Sequence, residues 1–274
     1  MKPRWIAGSS AVARGAALIA GVALAGCSPA TIDVVELVPG ALFEGLIAHW
    51  TFDDGAGPTV TDSTGHFNGD LPLTAPTVTW KMANDGHPGF GGFLHFDGGP
   101  QSEVQVPSFF QPNQASWSVA GWIRAPPGDT GDSYATILST EIPLVGGWQL
   151  NLGLAPMNTI SLYQYAFSKG SGVTDYIFEN CECFVPNAWV HIAGVFDADK
   201  QTISLYHNGI SSGSKPADQT IMHGSDTLYI GRWEDETSRR LIGDLDDFVV
   251  YNRALTPPEI RQLASAPLPV APPP

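Results

Sequence analysis

The sequence predicts an all-β chain folded as a two-sheet antiparallel sandwich, and three observations carry that reading. Punctuation is dense, with 30 Gly and 23 Pro among 274 residues, too much for a helical bundle. Short apolar segments with turn residues between them recur at roughly 8–12-residue spacing, the interval of sandwich strands. No strand–helix–strand rhythm interrupts them, so the strands pair antiparallel in one domain. Disorder across the body is excluded by 43% hydrophobic residues and 8 Trp.

The elements follow in order. Leu46–Phe52 is a first strand, closed by the turn-forming Asp53-Asp54-Gly55-Ala56-Gly57. Phe93–Phe96 runs into Asp97-Gly98-Gly99, and Glu103–Val106 alternates until Pro107. Ser116–Arg124 carries apolar residues on both faces, as in a strand covered on both sides. Strands are predicted at Ala135–Ser139, Trp148–Leu154 and Thr159–Tyr165. Trp189–Phe196 and Thr202–Tyr206 follow, joined by the turn Asp197–Lys200. Asn208-Gly209 is a strong short-range hairpin signal. Leu228–Gly231 and Leu245–Tyr251 complete the strands. One helix is expected after Thr256, which forms a capping box with Glu259 and has Pro257 at the first helical position.

Charge narrows the function classes. The net charge is −14, and residues 1–26 contain Lys2, Arg4 and Arg14 but no acid, so the remainder stands at −17. Such a surface repels nucleic-acid backbones. Residues 1–26 read as an export signal: basic residues, then an uncharged run from Arg14 to Cys27 too short to span a bilayer. Leu24-Ala25-Gly26-Cys27 resembles the lipobox of bacterial lipoproteins. That resemblance implies cleavage before Cys27, a diacylglycerol on its sulfur and, with Ser28 next, sorting to an outer membrane. The expected organisation is signal peptide 1–26, tether 27–44, sandwich 45–264 and a frayed Pro-rich tail 265–274. Cys181 and Cys183 are a candidate disulfide, although their i,i+2 spacing makes a strained ring.

Several segments together resemble the laminin-G-like, concanavalin A-like jelly roll of bacterial cell-surface proteins. They are Trp50-Thr51-Phe52-Asp53-Asp54-Gly55-Ala56-Gly57 with Asp62-Ser63-Thr64-Gly65, Leu94–Gly98, Ser116–Ile123, Trp189–Ala193, Leu205–Gly209 and Gly243–Thr256. The stretch Pro72–Gly92 matches nothing in that pattern. The resemblance implies that first and last strands lie side by side.

Calcium is the leading site chemistry. It takes six to eight oxygens, and Asp53, Asp54 and Asp62 lie in loops that offer carboxylates beside free carbonyls. By the resemblance, Asp246 of the closing strand joins them; Asp244 and Asp247 are expected to point to solvent. The same aspartates serve equally well as turn formers. For a glycan, Trp233 in a polar loop, with Tyr163 and Trp148 on a sheet face, are the candidate stacking residues, whereas Trp50, Trp117, Trp122 and Trp189 are core. Catalysis has little support. The Glu-x-Asp-x-x-Glu pattern of retaining glucanases is absent, as is a Gly-x-Ser-x-Gly elbow. The expected function is a non-catalytic, lipid-anchored module binding a carbohydrate or an envelope or extracellular protein with calcium. A passive scaffold and a divergent glycoside hydrolase are the alternatives.

Overall fold

A computed structural model describes residues 41–72, 77–82, 90–112, 115–126, 134–142, 146–153, 159–166, 173–178, 185–217, 223–233 and 239–269, with backbone alone at 134, 159–166 and 173–178. A short 3₁₀ helix, Ala41–Phe43, precedes β1 (Leu46–Trp50), β2 (Thr59–Val60), β3 (Gly69–Asp70), β4 (Val78–Lys81) and β5 (Phe93–Asp97). Then come β6 (Val104–Val106), β7 (Trp117–Arg124), β8 (Tyr134–Ser139), β9 (Trp148–Gly153), β10 (Thr159–Ala166) and β11 (Val173–Phe178). The chain closes with β12 (Val190–Asp197), β13 (Thr202–His207), β14 (Ile210–Pro216), β15 (Leu228–Ile230), β16 (Ile242–Tyr251) and helix α1 (Pro257–Leu263).

Two antiparallel sheets result, confirming the all-β sandwich. One runs β14-β13-β12-β7-β16-β5-β4, with β1 also on β16; the other runs β11-β10-β9-β8-β15-β6-β3-β2. Each predicted strand and the helix are present. The Asn208-Gly209 turn, with φ of 47° and 78°, folds β14 back on β13.

Alternation decides which side chains meet between the sheets. Trp117, Val119 and Ile123 of β7 enter the main core with Leu150 and Leu152 of β9 and Val104 and Val106 of β6. Gly121 is required on that face, because a Cβ there would lie 2.4 Å from the Phe248 ring. The opposite face of the first sheet is also covered. Ala120, Ala193, Val195 and Val249 pack with Ile260 and Leu263 of α1 and with Leu42, which explains why nearly all of β7 is buried. Burial of one such aliphatic side chain contributes about 1.5–3 kcal/mol.

Both ends of the sandwich extend further than the sequence indicated. Arg253 clamps the entering chain, donating to the carbonyls of Glu44 at 2.6 Å and Ala41 at 2.9 Å, and pairs with Glu259 at 2.8 Å. The Tyr251 hydroxyl donates to the Leu42 carbonyl at 2.9 Å. Residues 41–44, read as tether, are therefore docked on the domain. Leu268, assigned to the frayed tail, is buried with α1.

Candidate functional site

The site is built by a strand that changes partners. β16 keeps β7 on one side throughout, but on its other side β5 pairs with Ile242–Leu245 and β1 with Phe248–Tyr251. Between these stretches the register shifts, and Asp247 takes a left-handed φ of 48°. Asp246 and Asp247 thus sit in a bulge at the seam where β1 ends and β5 begins. The flanking backbone is unusual there, since Phe52 has a positive φ of 54°.

Asp246 is fully buried, and neither carboxylate oxygen makes a hydrogen bond of good geometry. Burial pushes its pKa up to about 9; the charges of Asp247 and Asp53 add to the rise, and the neighbouring Asp247 amide only partly offsets it. A buried carboxylate so short of donors is costly, so it either keeps a proton or meets a cation.

Asp53 stands on the other side of the seam. Its Oδ1 accepts the Gly92 amide at 2.5 Å. A Cβ on Gly92 would fall 2.9 Å from the Lys81 carbonyl oxygen, 3.3 Å from that of Phe52 and 3.6 Å from Asp53 Oδ1. These oxygens crowd one point that only a glycine leaves open. Among the described residues, no three His, Cys, Asp or Glu side chains already stand in a metal-holding arrangement. Asp53, Asp246 and the carbonyls near Gly92 are all oxygen donors, the type that a hard cation such as calcium would take.

The other predicted ligands are spent elsewhere. Asp62 is buried, and its carboxylate accepts from the His49, Thr64, His66 and Phe67 amides and from the Thr64 hydroxyl. With five donors it has no lone pair left for an ion, and its role is to hold the turn between β2 and β3 and fasten it to β1. Asp54 is exposed and accepts the Thr61 amide at 3.1 Å. Asp244 and Asp247, expected in solvent, are buried and paired. Asp244 binds Arg124 Nε and His95 Nδ1, each at 2.7 Å. Asp247 binds His49 Nε2 at 2.5 Å, and His49 Nδ1 meets Ser63 Oγ at 3.0 Å. This hydroxyl–imidazole–carboxylate chain has a fully buried imidazole with both nitrogens engaged, and it ties β1 to the bulge of β16.

The aromatic candidates separate in the same way. Trp148 is 1% exposed and packs on Trp117 with ring centroids 4.7 Å apart; it is a core residue, as its alternation with Leu150 and Leu152 would have indicated. Trp233 is half-buried, with the Arg239 guanidinium 4.3 Å from its ring centre. Tyr163 lies on β10 opposite Gln149 and Tyr176, with its side chain outside the described residues. Cys27, Cys181 and Cys183 are also outside them. Trp50, Trp117 and Trp122 are buried as expected, while Trp189 is half-buried against Phe93 and Arg124. Trp80, which the sequence did not single out, lines a groove beside β4.

The fold and the seam define a jelly-roll domain of the lectin-like kind. Residues 97–261 match the family model of the concanavalin A-like lectin/glucanases superfamily, and the chain belongs to that superfamily. No curated protein sequence matches it. Among solved structures it is similar to the binding domain of Paraclostridial Mosquitocidal Protein 1, with a TM-score of 0.64 and 17% identity over 81% of this chain and 52% of that one. The botulinum neurotoxin type G receptor binding domain gives 0.59 and 17%, over 80% and 51%. This chain thus spans about half the length of those toxin domains. Domain 4 of an extracellular arabinanase from Geobacillus stearothermophilus, solved with arabinotriose, gives 0.59 and 22% identity over 80% of this chain and 98% of that domain.

Proposed function

We propose that this protein is a non-catalytic binding module, held on the bacterial cell envelope by a lipid on Cys27, outer membrane included, that recognises a carbohydrate with the help of calcium. The observation that carries the calcium part is Asp246, a buried carboxylate at the strand seam whose oxygens make no hydrogen bond of good geometry and which lies near enough to Asp53 to feel its charge. Asp246 and Asp53 would hold the ion, with the carbonyls of the Gly92 cradle beside them. A bound calcium supplies positive charge that keeps Asp246 ionised and fixes the loop after β1. Superfamily membership supports a lectin-like role, and so does the likeness to an arabinanase domain solved with arabinotriose. A non-catalytic reading is supported by the buried glutamates, each of which is paired: Glu103 with Arg232, Glu141 with Gln149, and Glu259 with Arg253.

The test is a glycan-array run on the chain carrying Cys27→Ala, read in calcium and again in EDTA, beside a calcium titration followed by calorimetry. Array signals that vanish in EDTA, with heat released by calcium in the wild type and not in Asp246→Asn, are expected. A blank array would refute carbohydrate recognition and turn the search to an envelope or extracellular protein. No heat on calcium addition would refute the ion.

A further inference from the structure

β16 carries two consecutive aspartates at its bulge. In a regular strand Asp246 and Asp247 would point to opposite faces, one of them into the apolar core. The register shift between Asp246 and Val249 and the left-handed φ of 48° at Asp247 accommodate both. Asp247 reaches β1 instead, where its Oδ1 lies 2.5 Å from His49 Nε2. A strained backbone of this kind persists only where its neighbours over-determine it.

His49 is built to do so. Its ring is fully buried, and its other nitrogen, Nδ1, meets Ser63 Oγ at 3.0 Å. The Ser63 amide also donates to the His49 carbonyl at 2.8 Å, so one residue grips both ring and backbone. The Asp62 carboxylate takes only the His49 amide, which leaves the orientation of the ring to Ser63 and Asp247. A carboxylate accepts and does not donate, so Nε2 carries the proton and Nδ1 accepts from the Ser63 hydroxyl. A flipped ring would present carbons to both partners.

An apolar residue would fill this place in β1 without burying polar groups. What the imidazole adds is a fixed position for Asp247, and with it for the backbone that carries Asp246. The Asp247 charge acts on Asp246, as that of Asp53 does. With Asp247 released, the bulge would relax and Asp246 would shift against Asp53 and the carbonyls near Gly92. Groups that orient the ligands of a metal without touching it commonly govern its affinity by tenfold or more. We propose that His49 is the positioning residue of the seam, and that the Ser63–His49–Asp247 chain sets the affinity of Asp246 and Asp53 for calcium. The proposal rests on the calcium reading and names the group that tunes that site.

The test uses the full chain with Cys27→Ala. Calcium binding is followed by calorimetry, and terbium binding by its luminescence under tryptophan excitation. Trp122 lies opposite Asp246 in the β16–β7 ladder, so an ion at the seam has a sensitiser beside it. His49→Phe keeps an aromatic ring and removes both ring bonds; the calcium Kd should weaken about tenfold or more, with the terbium signal falling in parallel. His49→Gln returns an N–H to Asp247 and should stay within about threefold of the wild type, and Ser63→Ala should fall between the two. Melting curves in EDTA check each fold, and Ser63→Ala decides the matter if His49→Phe does not fold. A role in folding alone would lower the Tm in EDTA and leave the Kd of the folded variants within about twofold; that result would overturn the positioning role and leave the calcium site standing. Equal weakening in His49→Phe and His49→Gln would also overturn it, because the donor to Asp247 would then be immaterial. Neither heat nor terbium luminescence in the wild type would overturn the calcium reading and this proposal together.

Discussion

Asp62 and Asp246 are two buried aspartates of one sandwich, 2% and 0% exposed, yet their surroundings are opposite. Five donors converge on the Asp62 carboxylate, from the turn Thr64–Phe67 and from His49 of β1. Asp246 makes no such set of bonds: the bulge of β16 leaves it at a seam between two partner strands, where only the Asp247 amide offsets burial and the charges of Asp247 and Asp53. Burial alone therefore says little about what a carboxylate does. The count of donors around it separates a structural anchor from a group that demands a cation or a proton.

The largest effect expected from this contrast is at Asp62. Asp62→Ala would strand four backbone amides, and stability should fall by about 3 kcal/mol or more. The loss should be equal in calcium and in EDTA, as read by urea unfolding in both buffers. A loss present only in calcium would make Asp62 a ligand and erase the contrast.

Asp246→Asn should act in the other direction. The wild-type carboxyl has its pKa raised to about 9 from an ordinary 3.8. Between those values the folded chain holds a proton that the unfolded chain has released. The stability tied to that proton is complete below about pH 4 and lost as pH rises toward about 9, at up to about 1.4 kcal/mol per pH unit. In EDTA the wild type should therefore weaken from about pH 5 to about pH 8 more steeply than Asp246→Asn. Calcium should raise the wild-type Tm at pH 8 and leave the variant unmoved. Parallel pH profiles for the two proteins in EDTA would show that Asp246 already has a donor.

The sequence revealed the part of this architecture that rests on long apolar strands. β7, β12 and β16 are buried along nearly their whole length, and the capping box of Thr256 and Glu259 is a local signal that formed as read. β2 and β3 are two residues each, too short to show any period. β14 is an edge strand whose Ser-rich segment has no buried face to mark it. β4 lies within Pro72–Gly92, where Gly and Pro hide it, and the groove was hidden with it. The aspartates were recognisable as a set because acids in loops are visible in sequence. Which of them are saturated was not, since the Asp62 donors are local amides set by turn geometry, while the isolation of Asp246 depends on β1 and β5 meeting β16 from distant parts of the chain.

Asp54 provides the smallest and sharpest check on that division. It is exposed and accepts one amide, that of Thr61, so Asp54→Ala should cost no more than about 1 kcal/mol. It is the immediate neighbour of Asp53, however. If the ion is held by Asp53 and Asp246 alone, the calcium titration of Asp54→Ala should keep its midpoint within about twofold of the wild type. A tenfold weakening, with urea stability intact, would put Asp54 in the ion's shell and extend the seam site from the bulge of β16 into the loop. The comparison would then lie between one saturated aspartate and three that are reserved for the cation.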